Sequence, residues 1–215
     1  MMEQQRSAEW FAARLGVCSS SRFKHALARL KPKKDETKGA PAQARIDYAI
    51  ELVTERLTGQ PTPHFTTAAM QWGIDQEPGA RIELEFKLGV EVRETGFHRH
   101  PSLMCGASPD GLIGSDSDPN ASVVEFKCPS SIVHAETWLY GMPHEHRAQV
   151  QGQLWITGRK RALFCSYDPR FPKSHQLYIE HVERDDVFIA NLDLEVRQFL
   201  AEVDDLERQL REKAA

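Results

Sequence analysis

The stretch SPDGLIGSDSDPNASVVEFKCPSS, residues 108–131, predicts one strand, a loose polar turn and a second strand. Three charged residues, Asp110, Glu125 and Lys127, stand at the ends of its apolar runs. Because side chains alternate along a strand, Glu125 and Lys127 share one face and Phe126 points to the opposite face. The stretch therefore predicts a core position for Phe126 and a charged cluster on the other face of the same strand.

Two carboxylates that converge on one point repel each other unless a positive charge lies between them. Mg²⁺ suits Asp110 and Glu125 because it prefers a few carboxylate oxygens together with waters and substrate phosphate. The backbone carbonyl of Phe126 offers a further oxygen ligand. Lys127 would orient a water or hydroxide and neutralise charge on a phosphate. The pattern thus predicts metal-assisted attack of water on phosphorus.

A plainer interpretation is a surface Glu-x-Lys pair next to an unrelated Asp-Gly turn. The Ser-Pro-Asp-Gly that comes first, the strand-like setting and the helix that follows favour the metal site over this alternative.

The remaining sequence predicts an α/β fold with one central mixed sheet flanked by helices. Apolar spacing indicates two short helices in 7–27, helices over 43–59 and 143–157, and a last helix from Asp186 onward. A further helix over 66–89 is expected to be interrupted near Pro78. The predicted strands are 90–98, 103–113, 122–129, 161–168 and 175–182. We expect one domain over 1–215, with a basic helical segment, 1–60, packed on the α/β core.

The composition indicates a globular protein and argues against a membrane-spanning one. The chain has 215 residues, 40% hydrophobic, which is typical of one globular domain, and it has neither a bilayer-spanning run nor the apolar core of a signal peptide. We therefore expect a cytoplasmic protein. The four cysteines form no Cys-x-x-Cys pair, so neither a zinc ribbon nor an iron–sulfur cluster is predicted, and reduced, mostly buried thiols are expected.

Charge is distributed unevenly along the chain. The net charge is −4, but residues 1–34 carry eight Lys and Arg against two acids, and residues 180–215 carry eleven acids against five Lys and Arg. A basic end could meet phosphate while an acidic end stays away from it. Two solvated helical faces would explain the same distribution, and charge alone leaves both interpretations open.

Taken together, these residues resemble the PD-(D/E)xK nuclease superfamily and, more specifically, the lambda exonuclease family of phage recombination nucleases. The matching stretches are Trp10 with RLGV at 14–17, WG at 72–73 with Glu77, SPDGL at 108–112, EFKCP at 125–129, AQVQ at 148–151 and YDPR at 167–170. The N-terminal arm and the turn SDSDPNAS depart from the family pattern, so loop contacts to DNA do not carry over.

The resemblance implies a Mg²⁺-dependent nuclease, with Mn²⁺ as an expected substitute, that degrades one strand of duplex DNA from its 5′ end. It also implies a ring-shaped trimer, a single-strand annealing protein as partner, and a phage or prophage origin within a bacterial cell. By position, Asp110 and Glu125 match metal carboxylates, Phe126 the carbonyl ligand and Lys127 the catalytic lysine.

Further site residues follow from the same resemblance. Glu77 matches an acid that reaches the metal through water, and Gln149 matches an active-site glutamine, with Gln151 the weaker candidate. Arg14, Ser21 and Ser108 match positions that bind a 5′-phosphate. Such a phosphate suits a processive exonuclease, because each cleavage regenerates it.

Other residues are assigned ordinary roles. The pairs His98 with His100 and His144 with His146 have metal-like spacing but no third soft ligand, so a histidine metal site is not favoured. The tryptophans are expected in the core rather than stacked on bases, and the stripe from 192 to 210 is expected to be an intramolecular helix face. Two alternatives stay open for function, namely another RecB-like DNA nuclease and an inactive DNA-end-binding clamp.

Overall fold

The computed structural model describes residues 5–35, 37–63, 65–118 and 120–214. Helices and strands alternate along it, with short 3₁₀ turns between some of them. The helices are α1 (Ala8–Arg14), α2 (Phe23–Ala26), α3 (Gln43–Thr58), α4 (Ala68–Leu88), α5 (Ser131–Tyr140), α6 (Arg147–Thr157) and α7 (Asp186–Lys213). The strands are β1 (Cys18–Ser19), β2 (His98–Arg99), β3 (Cys105–Ala107), β4 (Gly111–Ile113), β5 (Ser122–Lys127), β6 (Arg161–Tyr167) and β7 (Leu177–Glu183).

The four-stranded sheet has the order β4-β5-β6-β7. Strand β5 pairs antiparallel with β4 and parallel with β6, and β7 returns antiparallel to β6. The parallel strands β5 and β6 form a βαβ unit, and the crossover that joins them contains α5 and α6. The sheet is therefore mixed, as predicted.

Helices cover both faces of this sheet. On one face, Leu84 of α4 joins an apolar cluster with Val124 and Phe126 of β5. On the other face, Val150 and Leu154 of α6 join a cluster with Val123 and Phe164. Phe126 is therefore in the core, opposite the face that carries Glu125 and Lys127, as strand alternation predicts.

The prediction of a single sheet is wrong, because a second, three-stranded sheet forms with the order β1-β3-β2. The predicted strand 103–113 divides into β3 and β4, which belong to different sheets. Pro109 lies at the division, and proline lacks the N–H that a continuing ladder requires. The division leaves Asp110 at the first end of β4.

Two other boundaries differ from the sequence prediction. Most of 90–98 is not a strand, since it contributes only the isolated bridge of Arg93 to Leu112 before β2 begins. Helix α4 continues through Pro78 without interruption. Its N-cap Thr67 accepts from the Met70 N–H, and Ala80 and Leu84 are buried beyond the proline, so capping and packing outweigh the lost hydrogen bond. Strand β1 and helix α5 were not predicted.

The acidic helix α7 packs along α3 through both apolar and ionic contacts. Its stripe is buried at Leu192, Val196, Phe199 and Val203, which confirms the intramolecular face. Arginines on the adjoining elements pair with its acids. These ion pairs are Arg29–Glu195, Arg45–Glu202, Arg56–Asp204 and Arg56–Glu207. Part of the charge asymmetry is thus neutralised within the fold.

All four cysteines are free thiols, and three of them, Cys18, Cys105 and Cys165, are buried. No helix in the described part of the chain is long and apolar enough to cross a membrane.

Candidate active site

Asp110 and the end of β5 are joined by the main chain. The Asp110 N–H donates to the Val124 carbonyl at 3.0 Å, and Oδ2 of Asp110 accepts from the Phe126 N–H at 2.7 Å. Arg81 of α4 donates to the Asp110 carbonyl at 3.1 Å. The β4–β5 pairing therefore fixes the Asp110 carboxylate beside Glu125, as the sequence predicts.

Three donors surround the Glu125 carboxylate, which is only 1% exposed. Oε1 accepts from the Lys127 ammonium and from Nε2 of Gln149, the latter at 2.5 Å. Oε2 accepts from Nε2 of Gln153, also at 2.5 Å. Such a carboxylate is held in one orientation, and Oε1 is the oxygen on the Lys127 side.

The surroundings of Asp110 and Lys127 shift the pKa values of these two groups. Burial, together with the Glu125 and Glu77 carboxylates, raises the pKa of Asp110 well above its ordinary value, although Lys127 opposes the shift. Burial alone would lower the pKa of Lys127, but Glu125 and Asp110 raise it above its ordinary value. Lys127 therefore stays protonated, and one cation is too little to neutralise the negative charge around Asp110.

Glu77 lies on α4 at the edge of this cluster. Its Oε2 accepts from Nη2 of Arg6 at 3.1 Å, and Arg81 approaches Oε1 at 3.9 Å. Gln5, beside Arg6, donates to the Pro109 carbonyl at 2.6 Å. The N-terminal segment thus crosses the cavity next to Asp110.

The donor set suits Mg²⁺. In the described residues no group of three or more His, Cys, Asp or Glu side chains is arranged to enclose a metal ion. Mg²⁺ requires no such cage, because it binds through one or two carboxylates and keeps several waters. Asp110 and Glu125 are hard oxygen donors next to the Phe126 carbonyl, and the charge they carry exceeds that of Lys127. Asp110, Glu125 and the Phe126 carbonyl therefore fit a divalent cation, and Glu77 lies at the edge of this donor set.

Arg14, Ser108 and Ser21 line the same cavity from the opposite side. Nη1 of Arg14 is 3.5 Å from Oγ of Ser108, and that hydroxyl also accepts from Nε1 of Trp10 at 2.9 Å. The Arg14 guanidinium lies over the Trp10 ring, 4.0 Å from its centroid. Among the described residues Arg14 has no carboxylate within ion-pair distance. A guanidinium that is flanked by hydroxyls and lacks a counter-ion is suited to bind an anion.

One cavity of about 590 Å³ joins the two groups. Asp110, Glu125 and Lys127 form its floor, and Gln149 and His146 line it from the α6 side. Its volume is sufficient for a nucleotide-sized ligand. The predicted site residues therefore surround one continuous space.

Gly152 brings the N-terminal segment to this cavity. A Cβ atom at Gly152 would lie 2.6 Å from two ring carbons of Phe23 and 3.3 Å from Cβ of Ser20. Only a residue without a side chain allows α6 to approach this closely, and the approach carries Ser21 to the cavity. This requirement cannot be seen in the sequence alone, because Phe23 and Gly152 are far apart in the chain.

The histidine pairs do not form metal sites in the described residues. Nε2 of His98 is bonded to the Thr95 hydroxyl, and Nδ1 of His100 accepts two backbone N–H groups. His146 stacks on Phe164, and burial with the nearby Lys127 and Lys24 lowers its pKa to about 4. His146 is therefore a neutral wall of the cavity at physiological pH.

Gln151, the weaker candidate from the sequence, binds outside the candidate site, whereas Gln153 is part of it. The Gln151 amide donates to the Glu183 carbonyl at 2.8 Å and accepts from the Asp185 N–H at 2.9 Å, away from the cavity. Gln153 was not identified from the sequence, yet it contacts Glu125 directly. The available signal was its spacing of four residues from Gln149, which places both on one face of a helix.

Comparison with known proteins agrees with this arrangement. Residues 9–160 match the model of the YqaJ-like viral recombinase domain. An uncharacterised protein of Escherichia coli strain K12, named ExoD, is 32% identical over 60 residues, which span 28% of this chain and 68% of that protein.

Solved structures resemble nearly the whole chain. The alkaline exonuclease LHK-Exo of Laribacter hongkongensis is 38% identical, with a TM-score of 0.84 over 97% of this chain and 98% of that one, and its structure with dAMP gives the same values. A phage-related exonuclease of Haemophilus somnus 129PT has a TM-score of 0.68 over 90% of this chain and 96% of that one, and its 14% identity indicates a shared fold alone. The fold predicted from the sequence is confirmed.

Proposed function

The chain belongs to the YqaJ-like viral recombinase family of phage-type exonucleases, and on that basis we propose that it is a Mg²⁺-dependent 5′-to-3′ exodeoxyribonuclease. Its substrate is linear duplex DNA, of which it degrades one strand processively from a 5′-phosphorylated end. The product is 3′ single-stranded DNA, suited to recombination by strand annealing.

One observation carries this proposal, namely that Asp110, Glu125 and Lys127 share a cavity with the unpaired guanidinium of Arg14. A hydrolytic site for phosphodiesters and a binding site for a terminal phosphate would then share one cavity. The relative solved with dAMP has a bound deoxynucleoside monophosphate, which is the product class expected of an exonuclease acting on DNA. An inactive end-binding clamp would have no need of the buried, mutually repelling acids.

Each residue has a distinct proposed role. Asp110, Glu125 and the Phe126 carbonyl would hold Mg²⁺, and Glu77 would act on it through water. When bound, the ion would lower the pKa of a water molecule that it binds and would stabilise negative charge on the phosphate. Lys127 places a fixed positive charge beside the scissile phosphate.

The remaining residues position the substrate. Gln149 orients Glu125 and faces the cavity, where its amide can bind the attacking water or the phosphate. Arg14, Ser21 and Ser108 bind the 5′-phosphate through charge-assisted hydrogen bonds. Mn²⁺ is expected to replace Mg²⁺, because it accepts the same oxygen ligands.

The assembly is proposed from family membership. A ring-shaped trimer that encircles DNA would explain processive digestion, and a single-strand annealing protein would receive the exposed strand.

The proposed activity is tested with linear and covalently closed circular forms of one plasmid. We expect Mg²⁺-dependent loss of the linear form alone, and no digestion by Asp110→Asn or Lys127→Met. Cleavage of the closed circle would indicate an endonuclease and would overturn the exonuclease assignment. Binding of linear DNA ends without digestion would support the end-binding clamp instead.

A further inference from the structure

Gln153 is a fully buried amide at the back of the candidate site. Its exposed fraction is 0%, and its Nε2 donates to Oε2 of Glu125 at 2.5 Å. Gln149, one turn earlier on α6, donates to the other oxygen of the same carboxylate. The two amides, on one face of α6, therefore each donate a hydrogen bond to one oxygen of the Glu125 carboxylate.

This amide is costly for the fold. Val150 and Leu154, its neighbours on α6, belong to an apolar cluster. Oε1 of Gln153 is buried and has no hydrogen-bond partner among the described residues. An unsatisfied buried polar atom lowers stability, and Gln153 carries that cost while it places a donor on the Glu125 carboxylate. Residues that break a packing rule in this way are concentrated at functional sites.

The chemistry of an amide explains what the position requires. A buried carboxylate needs a donor on its inner oxygen, and a lysine or arginine there would add a positive charge that opposes a cation on the cavity side. A glutamine donates without adding charge. The other oxygen, Oε1, lies on the side of Lys127 and Gln149, which both line the cavity.

We propose that Gln153 is a positioning residue that holds Glu125 for divalent-metal binding by fixing its inner oxygen. This inference rests on the proposed function, because it assumes that Glu125 is a metal ligand. Gln153 itself contacts neither metal nor DNA. Comparable partners of metal-binding side chains change metal affinity about 10- to 100-fold when they are removed.

The chain offers a matched control in Gln151. It is a glutamine on the same helix and is 3% exposed, but its amide binds the Glu183 carbonyl and the Asp185 N–H instead of Glu125. Gln153→Met and Gln151→Met each replace a buried amide with an unbranched apolar side chain. We expect only the former to alter metal binding.

The experiment measures Mn²⁺ affinity of the intact protein by calorimetry and by electron paramagnetic resonance, with unfolding in EDTA as a check of folding. Gln153→Met should weaken Mn²⁺ binding about 10- to 100-fold. Gln151→Met should keep the wild-type affinity even if it unfolds more easily. If Gln153→Met does not fold, Gln153→Leu, with a shorter apolar side chain, takes its place.

A double-mutant cycle separates positioning from general damage. In a Glu125→Gln background, Gln153→Met should cause no further loss of Mn²⁺ affinity, because the carboxylate it orients is gone. Wild-type Mn²⁺ affinity in folded Gln153→Met, or an undiminished loss in the Glu125→Gln background, would overturn the proposal. Mn²⁺ binding by a wild-type protein that digests no DNA would overturn the proposed function alone, and absence of Mn²⁺ binding would overturn both.

Discussion

Asp110 is a buried acid held close to Glu125, and the folded chain is destabilised by the burial of its charge and by the repulsion between the two carboxylates. The raised pKa of Asp110 means that its ionised form is less favourable in the folded state than in the unfolded state. Ionisation at neutral pH therefore reduces stability, and either protonation or a bound cation restores it. In the proposed function, this loss of stability accompanies a site that is able to hold a metal.

The first prediction concerns this repulsion. In EDTA at neutral pH, Asp110→Asn should raise the free energy of unfolding by about 0.5–2 kcal/mol, because it removes one of the repelling charges. Mg²⁺ should stabilise the wild type, by about 2.7 kcal/mol at a hundred times its Kd, and should have little effect on the variant. Thermal unfolding with and without Mg²⁺ measures both effects.

Asp47→Asn is the control, since Asp47 is an exposed carboxylate on α3. It should leave both the stability in EDTA and the response to Mg²⁺ unchanged. A wild-type Mg²⁺ response in Asp110→Asn would remove this residue from the proposed metal site.

The second prediction concerns Arg14. Arg14→Ala should keep the fold and Mg²⁺ binding but should lower the preference for 5′-phosphorylated over 5′-hydroxyl ends about 10- to 100-fold, the worth of a charge-assisted hydrogen bond. Processivity should fall with it. Initial rates and run lengths on the two duplexes provide the measurement.

Arg22→Ala provides the comparison, because Arg22 already makes a bidentate pair with Glu51. It should retain the phosphate preference. An undiminished preference in Arg14→Ala would mean that the phosphate is bound elsewhere.

At this scale the sequence predicts the site well where its geometry is local. Strand alternation is enough to place Glu125 and Lys127 on one face with Phe126 opposite. Gln153 could not be predicted, because its role depends on how α6 lies against β5, and packing between elements leaves no periodic signal in the sequence.

Among the elements, α6 connects the candidate site to the N-terminal segment, and Gly152 allows the two to approach closely. The third prediction is that Gly152→Ala destabilises the protein by about 1–3 kcal/mol through overpacking against Phe23, although alanine is the better helix former. Urea unfolding measures the change. It should be accompanied by a weaker preference for 5′-phosphate, since the segment bearing Ser21 would be displaced.

Gly73→Ala in α4 is the matched substitution, because no atom lies within 4 Å of a Cβ built there. It should stabilise the protein by about 0.5–1 kcal/mol. Equal stability of the two variants would show that the close approach at Gly152 has no energetic importance.

The predicted bounds of strands and helices are wrong where pairing or packing with other elements overrides the local sequence pattern. The run 103–113 has the composition of one strand, but Pro109 ends the ladder and the two halves pair with different strands. Pro78 signals an interruption, yet burial of Leu84 keeps α4 continuous. Helix α5 lacks a strong apolar period, since Ile132, Leu139 and Tyr140 are exposed.

Over the whole molecule, ion pairs between α7 and the arginines of α3 account for part of the uneven charge. The sequence left two interpretations of that unevenness open, and intramolecular pairing is a third that depends on which helices are neighbours. Arg14 takes no part in these ion pairs, so its guanidinium can bind an anion in the cavity.

The fourth prediction follows from the proposed ring. An enzyme that encircles its substrate cannot dissociate by simple diffusion. Excess unlabelled linear DNA, added after digestion has begun, should therefore barely slow molecules already engaged. Immediate arrest by the competitor, or a monomer in light scattering at the working concentration, would contradict the ring.

The most direct test is digestion of a 5′-phosphorylated linear duplex that is labelled separately at its 5′ and 3′ ends, with Mg²⁺ or with EDTA. We predict immediate release of the 5′ label as a mononucleotide, with the 3′ label of that strand retained in long DNA until late, and no release in EDTA or by Lys127→Met. Earlier release of the 3′ label, or digestion in EDTA, would contradict the assignment of Asp110, Glu125 and Lys127 as a metal-dependent 5′-to-3′ exonuclease site.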